Sequence, residues 1–333
     1  MKYTKLGRSN LTVSRVCLGT MHFGSATGEK EAFAIMDKAL EMGINFFDTA
    51  NMYGGPDNRG GSETIIGNWL AQGGGRRDRI VLATKVFGNM AGGDLPNEEP
   101  GISAYKVRKH AAGSLRRLQT DHIDLYQVHH IDTHITGEEY WGCFDKLVDD
   151  GDVLYMGTSN FPGWGLMKFQ NMAAARGRLG IISEQTQYNL LSRGPEMEVL
   201  PACLELGIGA IPYMPLAGGI LTGKTKSQPN TRTANVENEY GISIEGSSQI
   251  GAFHKICSDL GEPAHAVAIA WVLSHPAVAS PIVGVRKVEH LEGLERAAEI
   301  ELAPETLAKL NEIFDINKGR PFKPGPAPGA FAW

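Results

Sequence analysis

The sequence has little of what marks a chain for export, for a membrane or for a nucleic acid. It holds four cysteines in 333 residues, Cys17, Cys143, Cys203 and Cys257. They lie far apart and none forms a CxxC pair. That argues against a disulfide framework or a thiolate metal site, and leaves four free, mostly buried thiols in a reducing compartment. No apolar run approaches the ~20 residues a membrane span needs. Met1 to Gly7 lacks the apolar stretch of a signal peptide. There is no long basic block, and the formal net charge is −5, so neither nucleic acid nor an anionic membrane is an expected partner. A cytoplasmic protein is the expectation. Also missing is GxGxxG, which an open doubly wound sheet usually carries after its first strand to bind a dinucleotide.

What is present is a repeat. Hydrophobic residues make up 42% of the chain, ample for a core. After a small hairpin from Lys2 to Arg15, short apolar runs of strand length recur at 16–18, 44–47, 80–83, 123–128, 153–156, 181–183, 208–213 and 281–283. Several are almost continuously apolar, as strands buried on both faces should be. Helical patterns lie between them, such as Phe33, Met36 and Leu40, or Val107, Ala111, Leu115 and Leu118 behind the cap candidate Ser103. Pro263 and Pro304 each open another. Eight strand–helix repeats at this length predict a single α/β domain over 1–333, a (β/α)8 TIM barrel with an N-terminal β-hairpin cap and a C-terminal extra helix and tail. Three segments break the spacing and are expected to be functional loops: 88–101, 216–248 and the tail 318–333.

The strand-like runs end in polar residues: Asp48 to Tyr53, Thr84-Lys85, His129-His130, Thr158 to Asn160, Glu184-Gln185 and Tyr213. In a barrel these ends share one face and line one site. Asp48, Tyr53, Lys85 and His129 make chemical sense there. Reducing a carbonyl takes a hydride and then a proton for the new alkoxide. Tyrosine is a poor acid at a pKa of about 10. A nearby ammonium such as Lys85 lowers it. Asp48 would hold Lys85 charged and in place, and His129 would orient the carbonyl. Taken singly, each has a plainer role: an ion pair, packing or a core histidine. His129, His130, Asp132 and His134 match no common metal-ligand spacing, and no metal is expected. The Lys and Arg positions from Lys106 to Arg117 read as a solvated helix face.

Here the sequence resembles a known family. Gly43 to Gly54 with Ser62-Glu63, Ala83-Thr84-Lys85, and Asp124 to His129 are similar to the motifs of the aldo-keto reductases. The likeness runs from about Tyr3 to Phe314. It is nearest to the branch holding bacterial reductases and potassium-channel β-subunits. The resemblance implies an NAD(P)H-dependent reductase of aldehydes, ketones or quinones with the tetrad Asp48, Tyr53, Lys85 and His129, Tyr53 being the general acid. It implies cofactor contacts from Gly19, Thr20 and Met21. Ser159, Asn160 and Gln185 would hold the nicotinamide carboxamide, and Tyr213 would stack on its ring. The backbone from Met214, Pro215 and Leu216 to Gly218, with Lys224, would meet the pyrophosphate. Gly284, Arg286, Lys287 and His290 would take the adenosine 2′-phosphate, which favours NADPH over NADH. His290 and Leu294 stand where relatives often carry Gln and Asn, and His130 where they often carry Arg. Met21, His22, Phe23, Met52, Phe87 and Trp164 are expected pocket walls. A homo-oligomer is compatible with all of this. A slow, cofactor-holding regulatory subunit is the second reading. Gly218 to Thr225 fits the P-loop pattern GxxxxGK[ST]. The next residues, Lys226 to Asn230, are polar and broken by Pro229, unlike the helix a P-loop feeds, so an NTPase is the disfavoured third.

Overall fold

The computed structural model describes residues 1–315 apart from Asp94 and Asn230. The expected aromatic tail, 318–333, lies outside them. The chain opens with the antiparallel hairpin β1 (Tyr3–Lys5) and β2 (Thr12–Ser14). Eight parallel strands come next: β3 (Cys17–Gly19), β4 (Phe46–Asp48), β5 (Val81–Val86), β6 (Ile123–Val128), β7 (Val153–Ser159), β8 (Ile181–Gln185), β9 (Gly209–Ala210) and β10 (Ile282–Gly284). Each pairs with its sequence neighbour, and β10 pairs with β3. The remaining seam is closed by Ala279 N–H to the Ala210 carbonyl and Ile282 N–H to the Pro212 carbonyl, both 2.8 Å. This is the (β/α)8 barrel that the alternation predicts.

Strand alternation divides the core in two. Cys17, Phe46, Val81, Ala83, Leu125 and Ile282 pack inside the barrel, where Leu6 and Val13 of the hairpin join them. The hairpin is therefore a floor for the barrel. The alternate residues, among them Leu18, Phe47, Leu82 and Tyr126, pack against the surrounding helices. On the inner face Phe46 leads to Asp48, Ala83 to Lys85 and Leu125 to Gln127. Each strand is apolar at mid-barrel and polar at its C-terminal end.

The helices are α1 (Glu29–Glu41), α2 (Gly61–Leu70), α3 (Ala104–Leu118), α4 (Gly137–Asp150), α5 (Gly163–Ala175), α6 (Val199–Leu206), α7 (Arg232–Tyr240), α8 (Ser248–Leu260), α9 (Ala264–Leu273), α10 (Leu294–Ala297) and the extra helix α11 (Pro304–Ile313). Ser103 caps α3 by accepting from Lys106 N–H, as expected. Pro304 stands in the first turn of α11. The segment 216–248 is not all loop, since it contains α7, whose N-terminus is capped by Thr231. The basic run on α3 is not wholly a solvated face either. Lys106 is buried, its Nζ donating to the Phe87 and Glu99 carbonyls at 2.5 and 2.6 Å. Arg117 pairs with fully buried Glu63 at 2.7 Å. Both bases satisfy groups that would otherwise be buried unpaired. All four cysteines are free. Among the described residues no helix is long and apolar enough to cross a membrane.

Candidate active site

The C-terminal strand ends surround a cleft of about 590 Å³. It runs from Asp48, Tyr53 and His129 at the barrel mouth to Arg286 and His290 beyond β10. At its floor the Lys85 ammonium donates to Asp48 Oδ2 at 2.6 Å, to the Thr49 carbonyl at 2.9 Å and to Tyr53 Oη at 3.2 Å. Lys85 is wholly buried, and Asp48 nearly so. The Asp48 charge holds the Lys85 pKa above its ordinary value although burial pulls it down. Tyr53 departs from the expectation. Lys85 does pull its phenol toward ionisation, but burial is the larger effect and leaves its pKa above the usual tyrosine value. The ring of His129 meets Tyr53 edge to face at 5.9 Å between centroids. Burial, then Lys85 and then His130 hold its pKa far below that of free histidine, so it is neutral. Its Nδ1 is buried without a hydrogen-bond partner among the described residues. The imidazole of His130 stacks on it at 4.8 Å.

The polar groups expected to hold a carboxamide are joined to one another. Ser159 Oγ donates to the Gln185 carbonyl at 2.9 Å. Asn160 Nδ2 donates to the His129 carbonyl at 3.1 Å, and its Oδ1 accepts from Tyr213 Oη at 3.0 Å. Asn160 sits in the left-handed region at φ 56°, as does Met214 at φ 55°. Left-handed backbone is costly for a side chain like methionine and concentrates at ligand sites. Asn160 is no helix cap, because α5 begins behind Pro162.

Beneath them lies Glu184. It accepts from Thr158 Oγ1 at 2.5 Å and from Phe161 N–H at 3.1 Å. Burial pushes its pKa up to about 8 despite these bonds. The folded state then keeps a proton that the unfolded carboxyl, near 4.5, releases. This contribution is therefore complete below about pH 4.5 and lost as pH rises through about 8, by up to about 1.4 kcal/mol per pH unit. Urea midpoints between pH 5 and 9 should fall in the wild type and flatten in Glu184→Gln. Equal slopes would show that Glu184 does not titrate there.

The far end of the cleft gathers Lys224, Arg232 and Arg286, with Glu289 and Glu292 beside them. Arg232, at the start of α7, reaches across to donate to His22 Nε2 at 2.9 Å. Burial and then Arg232 and Arg286 press the His22 pKa down to about 4. Lys224 and Arg286 line the same end. Among the described residues no ion pair engages Arg232, Arg286 or Lys224, so these cations face the cavity without a salt-bridge partner.

Gly19, Thr20, Met21, Pro215, Leu216, Gly218 and Gly284 line this cleft, and Lys287 does not. The expected walls divide. Met21 and His22 line the cleft. Phe23 is not a wall, because its ring is fully buried in the helix-side core. Phe87 is nearly buried against the edge of His130. Met52 and Trp164, 39% and 46% exposed, stand outside the cleft. Gly218 and Gly219 serve the packing of α7: a Cβ on Gly218 would meet Val236 Cγ2 at 2.6 Å, and one on Gly219 Thr233 Oγ1 at 2.8 Å. No helix starts at Lys224; α7 begins at Arg232, and the P-loop geometry is absent. Asp132 accepts from the Ile102 and His134 amides, both at 2.8 Å, which gives it a loop-holding role.

Two residues of this site were given no role by the sequence. Arg232 lies in a polar stretch where nothing but its cap marks a helix. Gln127 was findable, since strand alternation puts it on the face of Leu125 and the tetrad. It donates to Asp48 Oδ1 at 2.9 Å.

A parallel barrel with a buried acid–base cluster at its C-terminal mouth is an enzyme's architecture. The chain belongs to the aldo/keto reductase family, whose model matches residues 15–315. It is 50% identical, over the full length of both chains, to an uncharacterized oxidoreductase, YrpG, of Bacillus subtilis (strain 168). It is 33% identical to an aryl-alcohol dehydrogenase [NADP(+)] of Phanerodontia chrysosporium, across 96% of this chain and 89% of that one. A probable voltage-gated potassium channel subunit beta of Oryza sativa is also 33% identical, across 94% and 96%. The protein is accordingly an oxidoreductase.

Proposed function

We propose that this protein is an NADPH-dependent reductase of small aldehydes and ketones, with quinones as a further carbonyl class, and that Tyr53 is its proton donor. The observation that carries the reading is the Lys85 ammonium shared between Asp48 and Tyr53 at the floor of the cleft. The donor set suits a dinucleotide phosphate. Near the tetrad lie the amides of Asn160 and Gln185, the Ser159 hydroxyl and the Tyr213 ring; at the far end lie Arg232, Arg286 and Lys224, which no described carboxylate pairs. When bound, the nicotinamide supplies the hydride. His129, neutral, orients the carbonyl oxygen. Tyr53, whose raised pKa keeps it protonated at neutral pH, delivers its proton to that oxygen as charge grows there. Lys85 stabilises the phenolate left behind, and Asp48 keeps Lys85 charged.

Absorbance loss of NADPH and NADH, followed separately with a panel of aldehydes, ketones and quinones, tests the proposal. Turnover with NADPH supports it. Tight cofactor binding without turnover on any carbonyl would replace it with the regulatory reading that the channel-subunit relatives suggest. Arg286→Ala should weaken NADPH binding about ten- to a hundredfold, the loss of a charge-assisted contact of about 1.5–3 kcal/mol, and leave NADH within about threefold. Equal losses for both would remove Arg286 from the 2′-phosphate.

A further inference from the structure

We infer that Gln127 is a positioning residue that locks the amide of Gln185 so that it offers only an acceptor to the cofactor, and so joins the cofactor site to the proton-donating pair. The inference rests on the reductase reading above.

Asp48, Gln127 and Gln185 form a buried hydrogen-bonded triangle. Gln127 is fully buried on the inner face of β6, in register with Lys85 on β5 and with Gly157 on β7. Glycine at 157 leaves room for it, since a Cβ there would meet Gln127 Cγ at 3.1 Å and Ser183 Oγ at 2.4 Å. Gln127 Nε2 and Gln185 Nε2 both donate to Asp48 Oδ1 at 2.9 Å. Gln185 Nε2 also donates to Gln127 Oε1 at 3.2 Å. An ionised carboxylate only accepts, so both amides must turn nitrogen toward Asp48. Once Gln127 has done so, its carbonyl faces Gln185 and claims the second N–H. Both protons of the Gln185 amide are then spent. Its Oε1 has no hydrogen bond to any described residue, and Gln185 lines the cleft. An acceptor without donors recognises an N–H, as on a carboxamide, and rejects a ligand that offers only a carbonyl. The two amides also spread the charge of Asp48, which otherwise pushes the phenol of Tyr53 away from ionisation.

Gln127→Met keeps the volume and removes both polar atoms. The Gln185 amide still turns one N–H to Asp48 Oδ1, but its second N–H loses its acceptor and can be offered to the cleft as a donor. The test is binding of NADP+ and of its 3-acetylpyridine analogue, which carries a methyl ketone in place of the carboxamide, followed by tryptophan fluorescence in the full-length protein. Wild type should prefer NADP+ by about tenfold, the worth of one hydrogen bond. Gln127→Met should bring the ratio close to one. The pH limb of kcat for alcohol oxidation should also move to higher pH, because an unscreened Asp48 raises Tyr53. Gln127→Asn, which keeps an amide too short to span both partners, should change both quantities in the same direction by less, and serves if Gln127→Met does not fold. A lower unfolding midpoint with the binding ratio and pH limb unchanged would make Gln127 merely structural and overturn the inference alone. A wild type that binds no dinucleotide would overturn the reductase reading together with it.

Discussion

Tyr53→Phe should lower kcat for carbonyl reduction about 10³-fold, within the 10²–10⁴ range of a positioned acid, and leave dinucleotide affinity within about twofold. In the proposed mechanism the phenol donates the proton, and no other described group at the cleft floor is placed to give it. Lys85 reaches Tyr53 Oη at 3.2 Å but is held by Asp48 and the Thr49 carbonyl. His129 is neutral, with burial as the main cause. The direction of the Tyr53 shift sets the pH profile. A phenol held above its ordinary pKa stays protonated, so reduction should lose rate only on the alkaline side. Alcohol oxidation, which needs the phenolate, should gain rate as pH rises. Steady-state rates in both directions from pH 6 to 10 measure this. Undiminished reduction by Tyr53→Phe would mean that the proton comes from elsewhere.

Lys85→Met should destabilise the protein by about 3–5 kcal/mol, because it strands the Asp48 carboxylate in the barrel without its cation. Gln127 and Gln185 would still donate to Asp48 Oδ1, which keeps the loss toward the lower end. Adding Asp48→Leu removes the stranded charge, so the double variant should recover part of the stability and none of the activity. Urea unfolding of the two single variants and the double variant gives the coupling. If Lys85→Met and the double variant lose the same stability, the pair is not the buried unit that its geometry describes. Reduction by Lys85→Met should fall at least as far as the loss of an electrostatic stabiliser, about 10²-fold, since the phenolate of Tyr53 then forms without a neighbouring cation.

Much of this was legible in the amino-acid order, for identifiable reasons. Barrel strands buried on both faces must be apolar, so they stand out as short runs. Their polar C-terminal ends, such as Asp48, Lys85 and His129, stand out against them. Helix starts at Ser103 and Pro304 come from backbone chemistry local to a few residues. Other features depend on groups far apart in the chain. Phe23 was expected at the pocket and is in the core, because side-chain direction near a turn depends on the fold around it. Lys106 and Arg117 were expected in water; they are held by Phe87, Glu99 and Glu63, which no spacing relates to them.

The amino-acid order alone was enough for the barrel and for the strand ends at which Asp48, Tyr53, Lys85 and His129 come together. Each of these comes from strand alternation or from a motif short enough to be read in place. That burial outweighs Lys85 at Tyr53, and that Arg232 crosses the cleft to His22, came from the folded chain. It alone brought Gln127 and Gln185 to one oxygen of Asp48. A pKa depends on the solvent excluded by the whole fold, and a hydrogen-bond triangle depends on three strands meeting at one height. Neither is a property of neighbouring residues in the chain.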